Sequence, residues 1–246
     1  MFQPVTLPLW VLILVLLFAA VTLLSHFLFP SVRWFSRRRM ERAVAELNKR
    51  LKRPIEPFKL ARRFDTIQRL TYDGAVLQAV AEHAAEEGVP EQVALQRARR
   101  YAREIVPSFS ASAYFGIATR LARWLSRKLY DVRLDDDSTQ VLEAIDPDAT
   151  VIFVMNHRSN MDYVLVTHLV AERSALSYAV GEWARVWPLS GLIRAMGAYF
   201  IRRRSRNALY RRVLARYVQI ATGAGVTQAI FPEGGLTLDG RMAPPK

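Results

Sequence analysis

His157 and Asp162 stand five residues apart in the stretch NHRSNMD, Asn156 to Asp162, and the chemistry open to them is proton transfer. On a continuous helix two residues five apart sit about 140° apart around the axis and cannot cooperate. In a loop that feeds a helix the chain can fold back. Asp162, in the first helical turn, then accepts a hydrogen bond from one ring nitrogen of His157, and the other nitrogen is free as a general base. A carboxylate in that place holds the tautomer and stabilises the imidazolium, the logic of hydrolase triads. No serine stands in a GxSxG setting, so the hydroxyl to be activated is expected to belong to the substrate. The chain has no cysteine, which removes disulfides, thiolate zinc sites and a cysteine nucleophile together.

Two further polar clusters follow. FPEGG, Phe231 to Gly235, puts a proline where sheet pairing ends and two glycines, Gly234 and Gly235, where backbone can approach a ligand. GAYFIRR, Gly197 to Arg203, ends in the pair Arg202 and Arg203, suited to bidentate phosphate capture or, more plainly, to a basic helix cap. His26, His83 and His168 read as structural, and the run Asp135, Asp136, Asp137 as a turn, since three consecutive carboxylates cannot all point inward.

The elements that must position these clusters are legible after Pro107, where short apolar runs alternate with amphipathic segments. Strands are expected near 150–155, 176–180, 198–202 and 227–231, with helices near 161–172, 182–195 and 206–222. Crossovers of that length favour a mostly parallel sheet flanked by helices, an α/β fold. Each polar cluster then falls at the same end of a strand, where an open α/β sheet places its site. Residues 33–107 read as a basic helical region punctuated by prolines. Its stripe of Arg97, Arg99, Arg100 and Arg103 reads as a solvated face near anionic lipid rather than as a nucleic-acid surface.

Residues 1–32 read as an anchor. Leu7 to Phe29 carries no charged side chain and is long enough for a transmembrane helix. Arg33, Arg37, Arg38 and Arg39 follow it, which places the rest of the chain, with a catalytic domain at 108–246, on the cytoplasmic side of a single-pass protein. The 246 residues carry a formal charge of +13, which fits nucleic acid, lipid headgroups or a phosphorylated substrate and does not choose among them.

In this order and spacing, NHRSNMD, GAYFIRR and FPEGG resemble the first three sequence blocks of the glycerolipid acyltransferase family, which includes glycerol-3-phosphate and lysophosphatidate acyltransferases. The resemblance covers Val151 to Arg241, and HRSNMDYVLV with the paired arginines is more similar to the glycerol-3-phosphate branch. It implies that His157 is the base, Asp162 its partner, Arg202 a phosphate contact, and Glu233 with Gly234 part of the acceptor site. Arg158, Arg203, Gly235 and Arg241 complete the expected substrate-binding set. Where the third block of that branch usually continues with arginine and serine, this chain has Leu236 and Thr237, and Arg241 or Arg203 is expected to compensate. Family members continue past the third block through a further helix and a fourth block, so the domain is expected to be truncated, with one apolar sheet face uncovered.

The implied reaction moves a fatty acyl group from acyl-CoA or acyl-carrier protein to glycerol 3-phosphate in phospholipid synthesis, without metal or bound cofactor. Lysophosphatidate as acceptor is the alternative within the family. From another class, the alternative is a non-catalytic, basic, membrane-tethered binding protein. The expected partners are membrane lipid, the thioester donor and the glycerol-phosphate acceptor, and not nucleic acid.

Overall fold

The computed structural model describes residues 8–132, 144–146, 148–170, 174–187, 189–202, 205–237, 239, 241 and 244–245, without the side chains of 20, 23–37 and 183. Arg203 and the Asp135–Asp137 run lie outside the described residues. The chain divides into two compact units, Met1–Arg50 and Leu51–Lys246.

The first unit is one helix, α1, Leu9–Arg50. Its apolar half does not end where the basic residues begin; the helix continues through Arg38, Arg39 and Arg42. The transmembrane helix expected over residues 7–29 is corrected here: among the described residues no helix is long and apolar enough to cross a membrane.

The second unit holds the sheet. Before it come α2 (Pro57–Leu60), α3 (Arg63–Thr71), α4 (Gly74–Glu87) and α5 (Glu91–Ile105). Asp73 caps α4 by accepting the Ala75 N–H at 3.1 Å, and Gly88, at φ +62°, ends it in the left-handed region. A π-helical stretch, Ser112–Ala118, leads into α6 (Thr119–Leu129). The α/β part then runs β1 (Ile152–Val154), α7 (Asp162–Val170), β2 (Ser177–Val180), a 3₁₀ turn (Glu182–Ala184), α8 (Leu189–Ala195), β3 (Tyr199–Phe200), α9 (Ala208–Gly223) and β4 (Gln228–Ile230).

The strands pair in parallel in the order β1-β4-β2-β3, with Ile152 opposite Gln228, Tyr178 opposite Ala229, and Val180 opposite Phe200. The four strands fall where the apolar runs predict them. The helix expected over 182–195 is instead the 3₁₀ turn and α8, on either side of a proline at position 188, a residue with no N–H to give a helix.

Side-chain alternation along the strands builds a layer on each face. Ala179 and Tyr199 face α3, α4, α5 and α9, where Ala94, Ala98 and Ala102 recur every fourth residue on one wall of α5 and are fully buried. Small residues at that spacing let α5 approach Tyr210, Val213 and Leu70 closely. Tyr178 and Val180 face the other way, toward α6, α7 and α8. Lys59 ties α2 to the start of β2: its buried Nζ donates to the carbonyls of Ala175 at 2.8 Å and Leu176 at 2.7 Å and lies 4.7 Å from the Phe109 ring centroid. Ile152, Val154 and Ile230 are exposed on the β1–β4 side.

Candidate active site

Parallel pairing puts the carboxyl ends of all four strands at one edge of the sheet. His157 follows β1 there, Glu233 follows β4, Arg185 follows β2 and Arg202 follows β3.

His157 and Asp162 meet as their spacing suggests. The chain turns at Ser159, whose carbonyl accepts the Asp162 N–H at 3.0 Å, and Asp162 is the first residue of α7. Its Oδ2 lies 2.9 Å from Nδ1 of His157 and also accepts the backbone N–H of Arg158 at 2.8 Å and of Ser159 at 2.9 Å. That oxygen serves three partners at the N-terminus of α7. That carboxylate fixes the proton on Nδ1 and leaves the lone pair on Nε2.

The imidazole is 1% exposed. It packs against Phe231 at 4.3 Å and edge-on to Tyr163 at 5.2 Å between ring centroids, and its carbonyl accepts the Thr237 N–H at 2.8 Å. The first and third blocks therefore close on each other.

Glu233 is 7% exposed, and its Oε2 is buried with no hydrogen-bond partner among the described residues; the same holds for Oγ1 of Thr237. Buried polar atoms without a partner cost free energy unless a ligand or water completes them. Gly234 sits at φ +67° in a turn closed by its N–H on the Phe231 carbonyl at 3.0 Å, a conformation that calls for glycine, whereas Gly235 faces open space.

Arg202 is at the site edge but engaged. Its Nε and Nη2 fork onto Glu104 of α5 at 2.8 and 2.7 Å, and its guanidinium lies 5.5 and 5.4 Å from the ring centroids of Tyr101 and Tyr210, which meet edge to face. Arg185 bonds the same carboxylate. Burial alone would raise the Glu104 pKa; hydrogen bonds from Arg202 and Arg185, with their charges, outweigh it and hold the carboxyl below its usual value. The hydrogen bond to Glu104 raises the Arg202 pKa further. Arg158 is exposed, and it is its backbone that serves Asp162. Arg241, with its side chain 89% exposed, lies 4.0 Å from Asp239.

Beside the dyad a cavity of about 210 Å³ opens between α6, α7 and α8, lined by Leu121, Leu125, Val164, Leu192 and Met196 and reaching Tyr163 and Asn160. Sequence reading missed this cavity together with Glu104, Arg185, Tyr163 and Phe231. Of these, Tyr163 and Phe231 stood inside quoted motifs, HRSNMDYVLV and FPEGG.

Residues 137–246 match the family model described as Acyltransferase. The glycerol-3-phosphate acyltransferase of Aeromonas hydrophila is 30% identical over 191 residues, which are 76% of this chain and 24% of that protein. That of Pseudomonas entomophila is 31% identical over 191 residues, 76% of this chain and 23% of its own. The chain thus spans about a quarter of the length of these relatives. A solved 1-acyl-sn-glycerophosphate acyltransferase from Thermotoga maritima, 22% identical over 74% of this chain and 66% of that one, gives a TM-score of 0.38, a likeness too low to argue from. Residues 137–246 hold all three blocks, and it is over them that the chain matches the Acyltransferase family model and resembles these glycerol-3-phosphate acyltransferases.

Proposed function

We propose that the chain transfers a fatty acyl group from an acyl thioester, acyl-CoA or acyl-carrier protein, to a hydroxyl of glycerol 3-phosphate. The observation that carries this reading is the 2.9 Å contact of His157 Nδ1 with Asp162 Oδ2, because it orients the imidazole with Nε2 as the candidate base. The acceptor hydroxyl gives its proton to Nε2 as its oxygen bonds to the thioester carbon. The tetrahedral adduct collapses, the C–S bond breaks, and the imidazolium returns the proton to the leaving thiolate. Asp162 stabilises the imidazolium between these events. As written, the reaction consumes no metal and no redox cofactor.

Three features support the substrate class. The unpartnered Oε2 of Glu233 can accept from a second glycerol hydroxyl. The arginines at the ends of β2 and β3 suit a phosphate. The apolar cavity beside Tyr163 suits an acyl chain. Its lining residues Ile117, Leu121 and Leu189 are themselves exposed, and Trp124 and Trp187 near them in sequence are 60% and 87% exposed, so we place the cavity mouth against membrane lipid, where the product belongs.

Exposed Leu236, beside Thr237 in the third block, favours a second reading in which the acceptor carries an acyl chain of its own, as lysophosphatidate does. Initial rates with radiolabelled acyl-CoA or acyl-carrier protein, against glycerol 3-phosphate and lysophosphatidate in turn, separate the two. Product with glycerol 3-phosphate supports the first reading, product with lysophosphatidate alone the second, and no product with any pair removes both.

A further inference from the structure

Two guanidinium groups from two strand ends converge on one carboxylate. Arg185 and Arg202 both bond Glu104, which sits 81 and 98 residues away in sequence. A structural ion pair needs one cation per anion, but this triad keeps a formal charge of +1. A third arginine adds to the excess: Arg194 and Arg185 both lie over the Phe200 ring, at 5.2 and 5.7 Å. Burial, followed by the charge of Arg185, lowers the Arg194 pKa, as expected where cations outnumber anions.

The donors are not used up. The fork to Glu104 takes Nε and Nη2 of Arg202, and Nε of Arg185 is buried with no hydrogen-bond partner among the described residues. Both arginines are about a third exposed, while Glu104 beneath them is nearly covered. Across the sheet the strand ends carry His157, Glu233, Arg185 and Arg202 in that order, spread over about 14 Å at ~4.8 Å per strand. The base and the cationic pair thus stand at opposite ends of one row, with Glu233 between.

We propose that Arg185 binds the phosphate of the acceptor together with Arg202, and that Glu104 is the positioning residue that holds both forks toward it. The proposal rests on the acyl-transfer reading and adds to it a phosphate ligand outside the three sequence blocks and a partner for it on a distant helix. Forked guanidiniums suit the oxygens of a phosphate monoester, and the triad's formal +1 becomes +2 with Arg194, opposite in sign to the dianion.

The test is steady-state acyl transfer by the full chain, varying glycerol 3-phosphate at saturating donor, for wild type, Arg185→Ala, Arg185→Lys and Glu104→Gln. Loss of a charge-assisted contact should raise KM for glycerol 3-phosphate about 10- to 100-fold in Arg185→Ala, with kcat and the donor KM within about twofold. Arg185→Lys should recover part of that loss, and Glu104→Gln should raise the same KM. A fall in kcat with the acceptor KM unchanged, or no change at all, would assign Arg185 to the fold and overturn the proposal. Glycerol 3-phosphate is also titrated calorimetrically into His157→Ala protein, with and without Arg185→Lys, which keeps a charge should Arg185→Ala fail to fold. If wild type transfers no acyl group, the acyl-transfer reading fails and this titration decides alone: binding weakened by the Arg185 change keeps the anion site, and absent or unaltered binding removes it.

Discussion

Asp162 Oδ2 is shared among the His157 imidazole and the backbone N–H groups of Arg158 and Ser159, so one carboxylate orients the base and closes the turn that carries it. Asp162→Asn keeps the acceptor and removes its charge. An amide oxygen in the place of Oδ2 can still accept from Nδ1 and from both backbone N–H groups, but it no longer stabilises the imidazolium with a full negative charge. The expected result is a fall in kcat of roughly 10²- to 10⁴-fold with the unfolding midpoint changed by less than about 1 kcal/mol. Urea unfolding beside steady-state rates checks both; a large stability loss with a modest rate loss would make Asp162 a turn residue only.

The cavity between α6, α7 and α8 should measure acyl chains. Val164 lines it from α7, and Val164→Trp fills volume that a long chain would occupy. Two displaced methylenes are worth ~1.6 kcal/mol, so rates with long-chain donors should drop about tenfold while short-chain donors stay within about twofold. Equal losses across a donor series would show that the chain lies elsewhere.

Lys59 should matter to stability and not to chemistry. Lys59→Met leaves the buried carbonyls of Ala175 and Leu176 without that donor, at a cost of roughly 1–3 kcal/mol. The denaturation midpoint should fall with KM for both substrates unaltered. A stable variant with altered KM would contradict this.

Glu104 gives stability a pH dependence. Its folded pKa is held below the usual value, so its contribution is full above the unfolded carboxyl pKa, about 4.3, and is lost as pH falls through the lower folded value. The margin of wild type over Glu104→Gln should therefore be constant from pH 5 to 8 and shrink on acidification below about pH 4. A margin that does not shrink there would mean the carboxylate is not what the arginines stabilise.

How much of this was legible depends on the range of the signal. The strands were, because four short apolar runs bounded by glycine, proline or polar residues fix their own ends, and the His157–Asp162 contact was, because a loop-to-helix junction is local. The Glu104 contacts were not: an acid on an arginine-rich helix reads as a solvated charge until the fold brings α5 under β3. Arg202 was read as a free phosphate contact for the same reason, since nothing local announces Glu104. The 182–195 segment was read as one helix because its apolar spacing outweighed the proline at 188. The transmembrane reading of residues 7–29 rested on an uncharged run and the arginines after it, and among the described residues no helix is long and apolar enough to cross a membrane.

The central claim is that His157 removes the acceptor proton, and the most direct measurement is the initial rate of acyl transfer to glycerol 3-phosphate by wild type and His157→Ala, compared at matched folded fractions by thermal unfolding. The expected result is a loss of at least roughly 10³-fold in kcat with a folded protein that still binds glycerol 3-phosphate. A folded His157→Ala variant that keeps its rate within about tenfold of wild type would contradict the mechanism.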